Sequence, residues 1–204
     1  MNLLSAIADT LSPGVVYRAS LLLREHERNT WMAIEQFIPT VLASAIHYTH
    51  TQEGAADFLR MLDSGHLEGK IINELESLLS NRIAAFAMLN IGERAAARLI
   101  GDPIEVVIQA VAGEIQIEDS AAREILALTT VVFLELLGRE RAAKRLISYD
   151  PIVLLHHHRR KTARALPAEV ARYIDLYDNP AEQETRPMPV RFAGLSLRFL
   201  KLFG

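Results

Sequence analysis

Residues 30–47 read TWMAIEQFIPTVLASAIH. Their large apolar side chains recur every three or four positions, the spacing that places side chains on one face of an α-helix. These positions are Trp31, Ile34, Phe37, Ile38, Val41, Leu42, Ala45 and Ile46. We expect Asn29 or Thr30 to cap the start of this helix. Pro39 is expected to kink it, because proline lacks a backbone donor.

The rest of the chain repeats this helical spacing between short turn signals. Ser, Asp, Gly and Pro cluster at residues 12–14, 63–65, 101–103 and 150–151, and such clusters mark turns or helix starts. No pair of alternating β-branched runs flanks a turn signal, so a sheet is not expected. The sequence predicts an all-α, compact multi-helix domain over residues 1–178. The expected helices lie near 2–11, 14–25, 30–49, 52–62, 70–80, 82–99, 104–114, 120–137, 140–148 and 167–177.

The long helix at residues 30–49 has a counterpart later in the chain. A shift of 91 residues lays Val15 on Val106 and Val16 on Val107, and lays the first long helix on the apolar run at residues 125–134. This weak repeat predicts a pseudo-twofold domain, built from a duplicated hairpin that buries both long helices. The alternative is that two amphipathic helices align by chance.

Composition excludes several classes of function. The chain has 204 residues, 50% of them apolar, which is enough for a substantial core. It contains no cysteine, which excludes disulfides, thiolate metal sites and a cysteine nucleophile. The formal net charge of −3 gives no reason to expect a nucleic-acid partner. No secretory signal is recognisable, and the run at 125–134 is too short to span a bilayer, so we expect a cytoplasmic location.

Familiar catalytic motifs do not occur in the sequence. It contains no Gly-x-Ser-x-Gly turn, zinc-binding helix, phosphate loop or dinucleotide-binding glycine pattern. The best candidate metal ligands are His47, His50 and Glu53, with His26 or His66 as a further ligand. A break between two helices at residues 51–52 would instead leave them as polar residues at a helix end. We therefore expect no cofactor and no enzymatic activity.

The densest local feature is a basic cluster that begins with three histidines. Its members are His156, His157, His158, Arg159, Arg160 and Lys161. Consecutive residues point in different directions on a helix, so regular geometry allows at most two of these histidines to bind one ion. The sequence favours a solvated connector here, and the alternative is a pH-sensitive contact with an anionic partner.

The end of the chain has the composition of a linker followed by a docking peptide. Residues 179–189 contain three prolines, and residues 190–204 become apolar again. Drawn as a helix, this last segment has an apolar face formed by Phe192, Leu195, Phe199, Leu202 and Phe203 and a basic edge formed by Arg191, Arg198 and Lys201. A short basic amphipathic helix suits a hydrophobic groove or an anionic membrane surface. A strand that pairs with a partner's sheet edge and packing on its own domain remain alternatives.

Three short stretches carry a resemblance to a known family. They are Asn2-Leu3-Leu4, Ile38-Pro39-Thr40-Val41-Leu42-Ala43 and Thr51-Gln52-Glu53-Gly54-Ala55. Over about residues 1–150 the chain resembles the bacterial YidB-like family, domain of unknown function 937. The resemblance implies an all-helical fold without known catalytic or ligand-binding residues. Some members carry this domain before a membrane segment and an envelope domain, which implies an attachment or assembly role.

The chain differs from that family pattern in two places. A helical run, Ile71–Leu89, replaces the usual Gly- and Ser-rich stretch, and the C-terminus carries a tail instead of a membrane helix. The function we expect is a non-catalytic protein-interaction or assembly module, attached to a partner protein or larger complex through residues 190–204. The alternatives are a peripheral protein that binds anionic lipid through the same segment, and a metal-dependent enzyme that uses His47 and His50.

Overall fold

The computed structural model describes residues 2–64, 69–143, 150–174 and 176. Within these ranges the secondary structure is eleven α-helices and one short 3-10 turn, with no strand. The all-α prediction is therefore confirmed. In chain order the elements are α1 (Leu3–Thr10), α2 (Pro13–Leu23), α3 (Glu27–Tyr48), α4 (Gln52–Ser64), α5 (Lys70–Asn73), α6 (Leu75–Ser80), α7 (Arg82–Ile100), α8 (Ile104–Ile115), α9 (Asp119–Ala143), α10 (Pro151–His157), α11 (Arg159–Ala165) and the 3-10 turn Val170–Arg172.

Two long helices, α3 and α9, form the centre of the fold. Every residue from 37 to 46 in α3 and from 125 to 138 in α9 is buried. A helix that is buried on all sides needs neighbours on every face. The two helices pack against each other, and α1, α2, α7 and α8 each pack against both of them. Two central long helices are what the repeat predicts.

Helices α1–α3 share their layout with the stretch from the end of α7 through α9. The residue that follows α2, Arg24, and the residue that follows α8, Gln116, are both in the left-handed conformation. No other described non-glycine residue has a positive φ. In each case the backbone N–H of the next residue donates to the carbonyl five residues earlier: Glu25 donates to Ser20, and Ile117 donates to Ala112. Both helices therefore end in the same type of cap. The buried positions correspond as well: Val15, Val16, Ala19 and Ser20 in α2, and Val107, Ile108, Val111 and Ala112 in α8.

These equivalences correct the register of the predicted repeat. Arg24 and Gln116 are 92 residues apart, whereas the sequence alignment used a shift of 91. The shift of 91 lays buried Val15 on Val106, which is 40% exposed. One residue turns a helix by about 100°, so the error moves a core position to the surface. The duplicated layout holds at the corrected offset.

Several predicted boundaries differ from the structure. Helix α3 starts at Glu27 rather than near 30, and its cap residue His26 makes no side-chain capping bond, so the predicted Asn29 or Thr30 cap is wrong. Pro39 lies inside α3 and does not end it. The predicted helix at 70–80 is two short helices, and α9 runs to Ala143 where a separate helix was expected at 140. At 167–177 the described residues contain only the 3-10 turn, whereas 151–165 forms two unpredicted helices.

Among the described helices, none combines the length and the apolar character that a membrane span needs.

Candidate interaction surface

The segment after α9 folds back onto the centre of the domain through α10 and α11. Asp150 caps α10, because its carboxylate accepts a hydrogen bond of 2.8 Å from the Ile152 backbone N–H, and Pro151 follows at the first helical position. Both helices pack on α3. Leu155, Leu166 and Val170 supply buried apolar side chains. The two helices are separated by His158 alone, whose backbone is right-handed helical, so they form one nearly continuous rod.

One side of this rod faces the domain. The Nε2 atom of His156 lies 3.3 Å from Thr49 Oγ1 at the end of α3. Since that hydroxyl already donates to the Ala45 carbonyl at 2.7 Å, His156 is the donor in this contact. His158 is 3% exposed, and Arg159 donates through Nε to the Leu176 carbonyl. These three side chains fix the rod in place.

The opposite side of the rod carries an exposed row of basic side chains, which we call the basic stripe. Its members are His157, Arg160, Lys161 and Arg164. Arg160, Lys161 and Arg164 follow His157 by three, four and seven residues, a spacing that places all four side chains on one helix face. In the described part of the chain, none of Arg160, Lys161 and Arg164 forms an ion pair. The stripe is therefore a solvent-facing array of positive charge.

The two acidic residues of this segment that the structure describes, Asp150 and Glu169, both have partners within the segment. The Asp150 carboxylate caps α10, and Glu169 pairs with Arg172 at 2.9 Å. Like charges three or four residues apart destabilise a helix by about 0.2–0.5 kcal/mol per pair. Arg164 lies in the last turn, where the helix dipole favours a cation, but Arg160 and Lys161 gain no such compensation.

The structure corrects the predicted solvated connector at residues 156–161 in part, because only His157, Arg160 and Lys161 are exposed. These residues are helical, and the six-residue basic cluster divides into an inward set, His156, His158 and Arg159, and an outward set, His157, Arg160 and Lys161. The basic stripe also includes Arg164, which was not part of the basic cluster predicted from the sequence. The helix spacing from 157 to 164 and the start signal at Asp150-Pro151 were the available signs of this surface.

The docking residues predicted in the C-terminal segment lie outside the described residues. They are Phe192, Leu195, Phe199, Leu202, Phe203, Arg191, Arg198 and Lys201. The predicted linker at 179–189 also lies outside the described residues.

The candidate metal ligands are not brought together. His47 is the next-to-last residue of α3, whereas Glu53 lies in the first turn of α4, on the far side of the break at Thr49–Thr51. Among the described residues, no group of three His, Asp or Glu side chains is placed to hold an ion, and His66 lies outside these residues. The expected break between two helices is present.

A buried carboxylate that the sequence analysis missed lies at the junction of α3, α4 and α7. Asp57 is 6% exposed. It accepts hydrogen bonds from the Tyr48 hydroxyl at 2.6 Å, from Arg60 at 3.1 Å and from Arg98. The Tyr48 bond lowers the pKa of Asp57, and the two arginines lower it further, against the opposing effect of burial. Burial and the bond to Asp57 raise the pKa of Tyr48. These hydrogen bonds join α3, α4 and α7, which indicates that the Asp57 cluster stabilises the fold.

The core of the fold, but not the segment after it, matches a known protein family. The model of a family described as bacterial protein of unknown function (DUF937) matches residues 5–140. The chain belongs to the DUF937 family. The suspected resemblance is confirmed. Comparisons with curated proteins and with solved structures found no match.

The DUF937 match covers most of α1 through most of α9 and ends before α10. It therefore contains the duplicated core and the Asp57 cluster. The basic stripe lies beyond it, so membership of DUF937 gives this surface no role.

Proposed function

We propose that the protein is a non-catalytic interaction or assembly module that attaches to an acidic partner protein through its C-terminal region. The basic stripe forms the part of this contact that lies on the folded domain, and residues 190–204 form the apolar-basic peptide that follows it. The observation that carries the proposal is the exposed stripe without ion-pair partners in the described chain, on two helices that pack against α3.

The distribution of charge supports this proposal. Residues 1–150 contain 13 basic and 20 acidic residues, and residues 151–204 contain nine basic and five acidic ones. An acidic body with a basic C-terminal quarter orients the chain towards a negatively charged surface. Because the stripe and the last segment have the same sign of charge, both favour the same kind of partner.

The same charges also suit an anionic membrane surface, which is the alternative function. A protein partner is favoured because the stripe lies on a helix whose apolar side chains Leu155 and Leu166 are buried in the domain. An interfacial helix keeps its apolar face for the lipid.

The stripe is tested by reversing two of its charges in the full chain. We expect the double variant Arg160→Glu and Arg164→Glu to recover a specific partner from native lysate about tenfold less efficiently, because complementary charges become repulsive. The matched control is Arg18→Glu with Arg28→Glu, which makes the same change of charge at exposed positions of α2 and α3. Recovery is measured by quantitative mass spectrometry after pull-down.

Two further arms separate the alternatives. The variant Leu195→Asp with Phe199→Asp is expected to lose the same partner, because it removes the apolar anchors of the last segment. Equal recovery by the stripe variant and its control would contradict the role of the stripe. Salt-dependent sedimentation with vesicles containing anionic lipid, without a protein partner, would favour the membrane alternative.

A further inference from the structure

A groove lies between α7 and α9. It has a volume of about 250 Å³ and is lined by Phe86, Leu89, Asn90, Glu93, Arg123, Glu124 and Ala127. This volume suits one aromatic side chain rather than a whole helix. Phe86 is 42% exposed, and Ile83, one turn earlier on α7, is 84% exposed. Exposed apolar side chains beside a concave surface are typical of a docking site.

Two carboxylates, Glu93 and Glu124, and one guanidinium, Arg123, line this groove, and a second guanidinium, that of Arg82, lies 5.5 Å from the centre of the Phe86 ring. Arg123 makes two hydrogen bonds with Glu105, at 2.8 and 2.5 Å, and lies 3.9 Å from Glu93. Its positive charge is thus shared by two carboxylates. Glu124 is half-buried and has no ion pair among the described residues. Burial raises the pKa of Glu124, and the negative charge of Glu93 raises it further, against the opposing positive charge of Arg82. A cation placed between Glu93 and Glu124 would therefore be stabilised.

Residues 190–204 have the complementary chemistry. Their apolar residues include three phenylalanines, and their basic residues are Arg191, Arg198 and Lys201. Phe199 lies next to Arg198 and two residues before Lys201, so an aromatic anchor and two cations occur together.

The length of the chain allows this segment to reach the groove of its own molecule. Thirteen residues, 177–189, connect Leu176 to the segment and span up to about 45 Å when extended. A domain of this size has a diameter of about 40 Å, so the longest path around its surface is about 60 Å, and the tether together with the first half of the segment covers nearly all of it. A short tether also gives the segment an effective concentration on the order of millimolar at its own groove. At micromolar protein this favours its own groove over that of a second copy.

We propose that the α7–α9 groove binds residues 190–204 of its own chain, with an aromatic side chain in the groove and basic side chains against Glu93 and Glu124. The acidic partner then competes with this groove for the segment. The inference goes beyond the proposed function and does not require that a partner exists.

The docking is tested by a distance measurement in the full chain. Because the protein has no cysteine, Ala97→Cys and Ser196→Cys place two nitroxide labels selectively. The first is an exposed position of α7 one turn beyond Glu93, beside the groove but not in its lining, and the second is on the segment. Pulsed electron paramagnetic resonance is expected to give a narrow distribution near 20 Å, from adjacent packing elements about 10 Å apart and two label arms. The distribution is expected to remain when labelled protein is diluted with excess unlabelled protein.

Charge variants show whether the groove causes the short distance. Glu124→Lys should broaden the distribution, and adding Arg198→Glu to it should restore a narrow component. Phe199→Asp should broaden it as well. The matched control Glu114→Lys, at an exposed position of α8, should leave the distribution narrow.

Three results would overturn the inference. A broad distribution in the labelled protein would show that the segment is not docked at the groove. A narrow distribution that survives both Glu124→Lys and Phe199→Asp would show that other contacts hold it. Loss of the short distance on dilution with unlabelled protein would assign the groove to a second copy. None of these results bears on partner recovery by the stripe, so the two proposals fail separately.

Discussion

Replacing Gly92 by alanine is expected to lower the free energy of unfolding by about 3 kcal/mol, near the upper end of the usual cost of overpacking a core. A Cβ atom at this position would lie 2.0 Å from the carbonyl oxygen and 2.7 Å from the carbonyl carbon of Ala127 in α9. Both are backbone atoms, so no side-chain rotation relieves the clash. Helix α7 would have to move away from α9, along the most extensively packed pair of helices in the domain. The expected fall in melting temperature is about 10 °C.

The chain provides a matched control for this substitution in Gly113. It lies inside helix α8, and a Cβ there would meet no atom within 4 Å. Gly113→Ala should raise the free energy of unfolding by about 0.5–1 kcal/mol, because alanine is the better helix former. Urea unfolding followed by circular dichroism measures both variants. If the two variants had the same stability, the close approach of α7 and α9 would not be the reason for glycine at position 92.

The central helices could be predicted from the sequence because their signal is local. The apolar spacing in residues 30–47 and the run at 125–134 identify α3 and α9 without knowledge of their neighbours. The repeat was visible for the same reason. Its register was wrong by one residue, because neighbouring valines such as Val106 and Val107 look alike in sequence. The structure separates them, since Val106 is exposed and Val107 is buried.

The rod of α10 and α11 was missed because polar residues occupy its inner face. Its buried positions include His158 and Thr162, so an apolar pattern does not appear. The hydroxyl of Thr162 donates to the His158 carbonyl at 3.0 Å, which satisfies it inside the helix. A buried polar group of this kind is recognised only from its partners.

The groove and the Asp57 cluster depend on contacts between residues far apart in sequence. Gly92 meets Ala127, and Asp57 meets Arg98. No local pattern encodes either pair. The chemistry of residues 190–204, by contrast, is local and could be described from the sequence, whereas their docking site could not.

Replacing Asp57 by asparagine is expected to lower the free energy of unfolding at pH 7 by about 2 kcal/mol. The substitution removes the charge that holds Arg60 and Arg98 and weakens the acceptor of the Tyr48 hydroxyl. Removing one partner of a fully buried ion pair costs about 3–5 kcal/mol. Here both arginines are largely exposed and regain water when the carboxylate is lost, so the expected cost is smaller.

The pH dependence of stability distinguishes this carboxylate from others. Its pKa is lower in the folded chain than the ordinary value, which is about 3.9 for an unfolded chain. The ionised form therefore stabilises the fold above about pH 4, and this contribution is lost as the pH falls through the lowered pKa. Between about pH 5 and pH 2, wild-type stability should fall more steeply than that of Asp57→Asn.

Asp63→Asn is the control, because Asp63 pairs with Arg141 at 2.8 and 2.9 Å but is 54% exposed. Exposed ion pairs contribute at most about 1 kcal/mol. Its pH profile should therefore stay close to that of the wild type. Urea unfolding at each pH gives the three curves. Parallel curves for wild type and Asp57→Asn would mean that Asp57 titrates normally, and that packing around Tyr48 rather than the charge joins α3, α4 and α7.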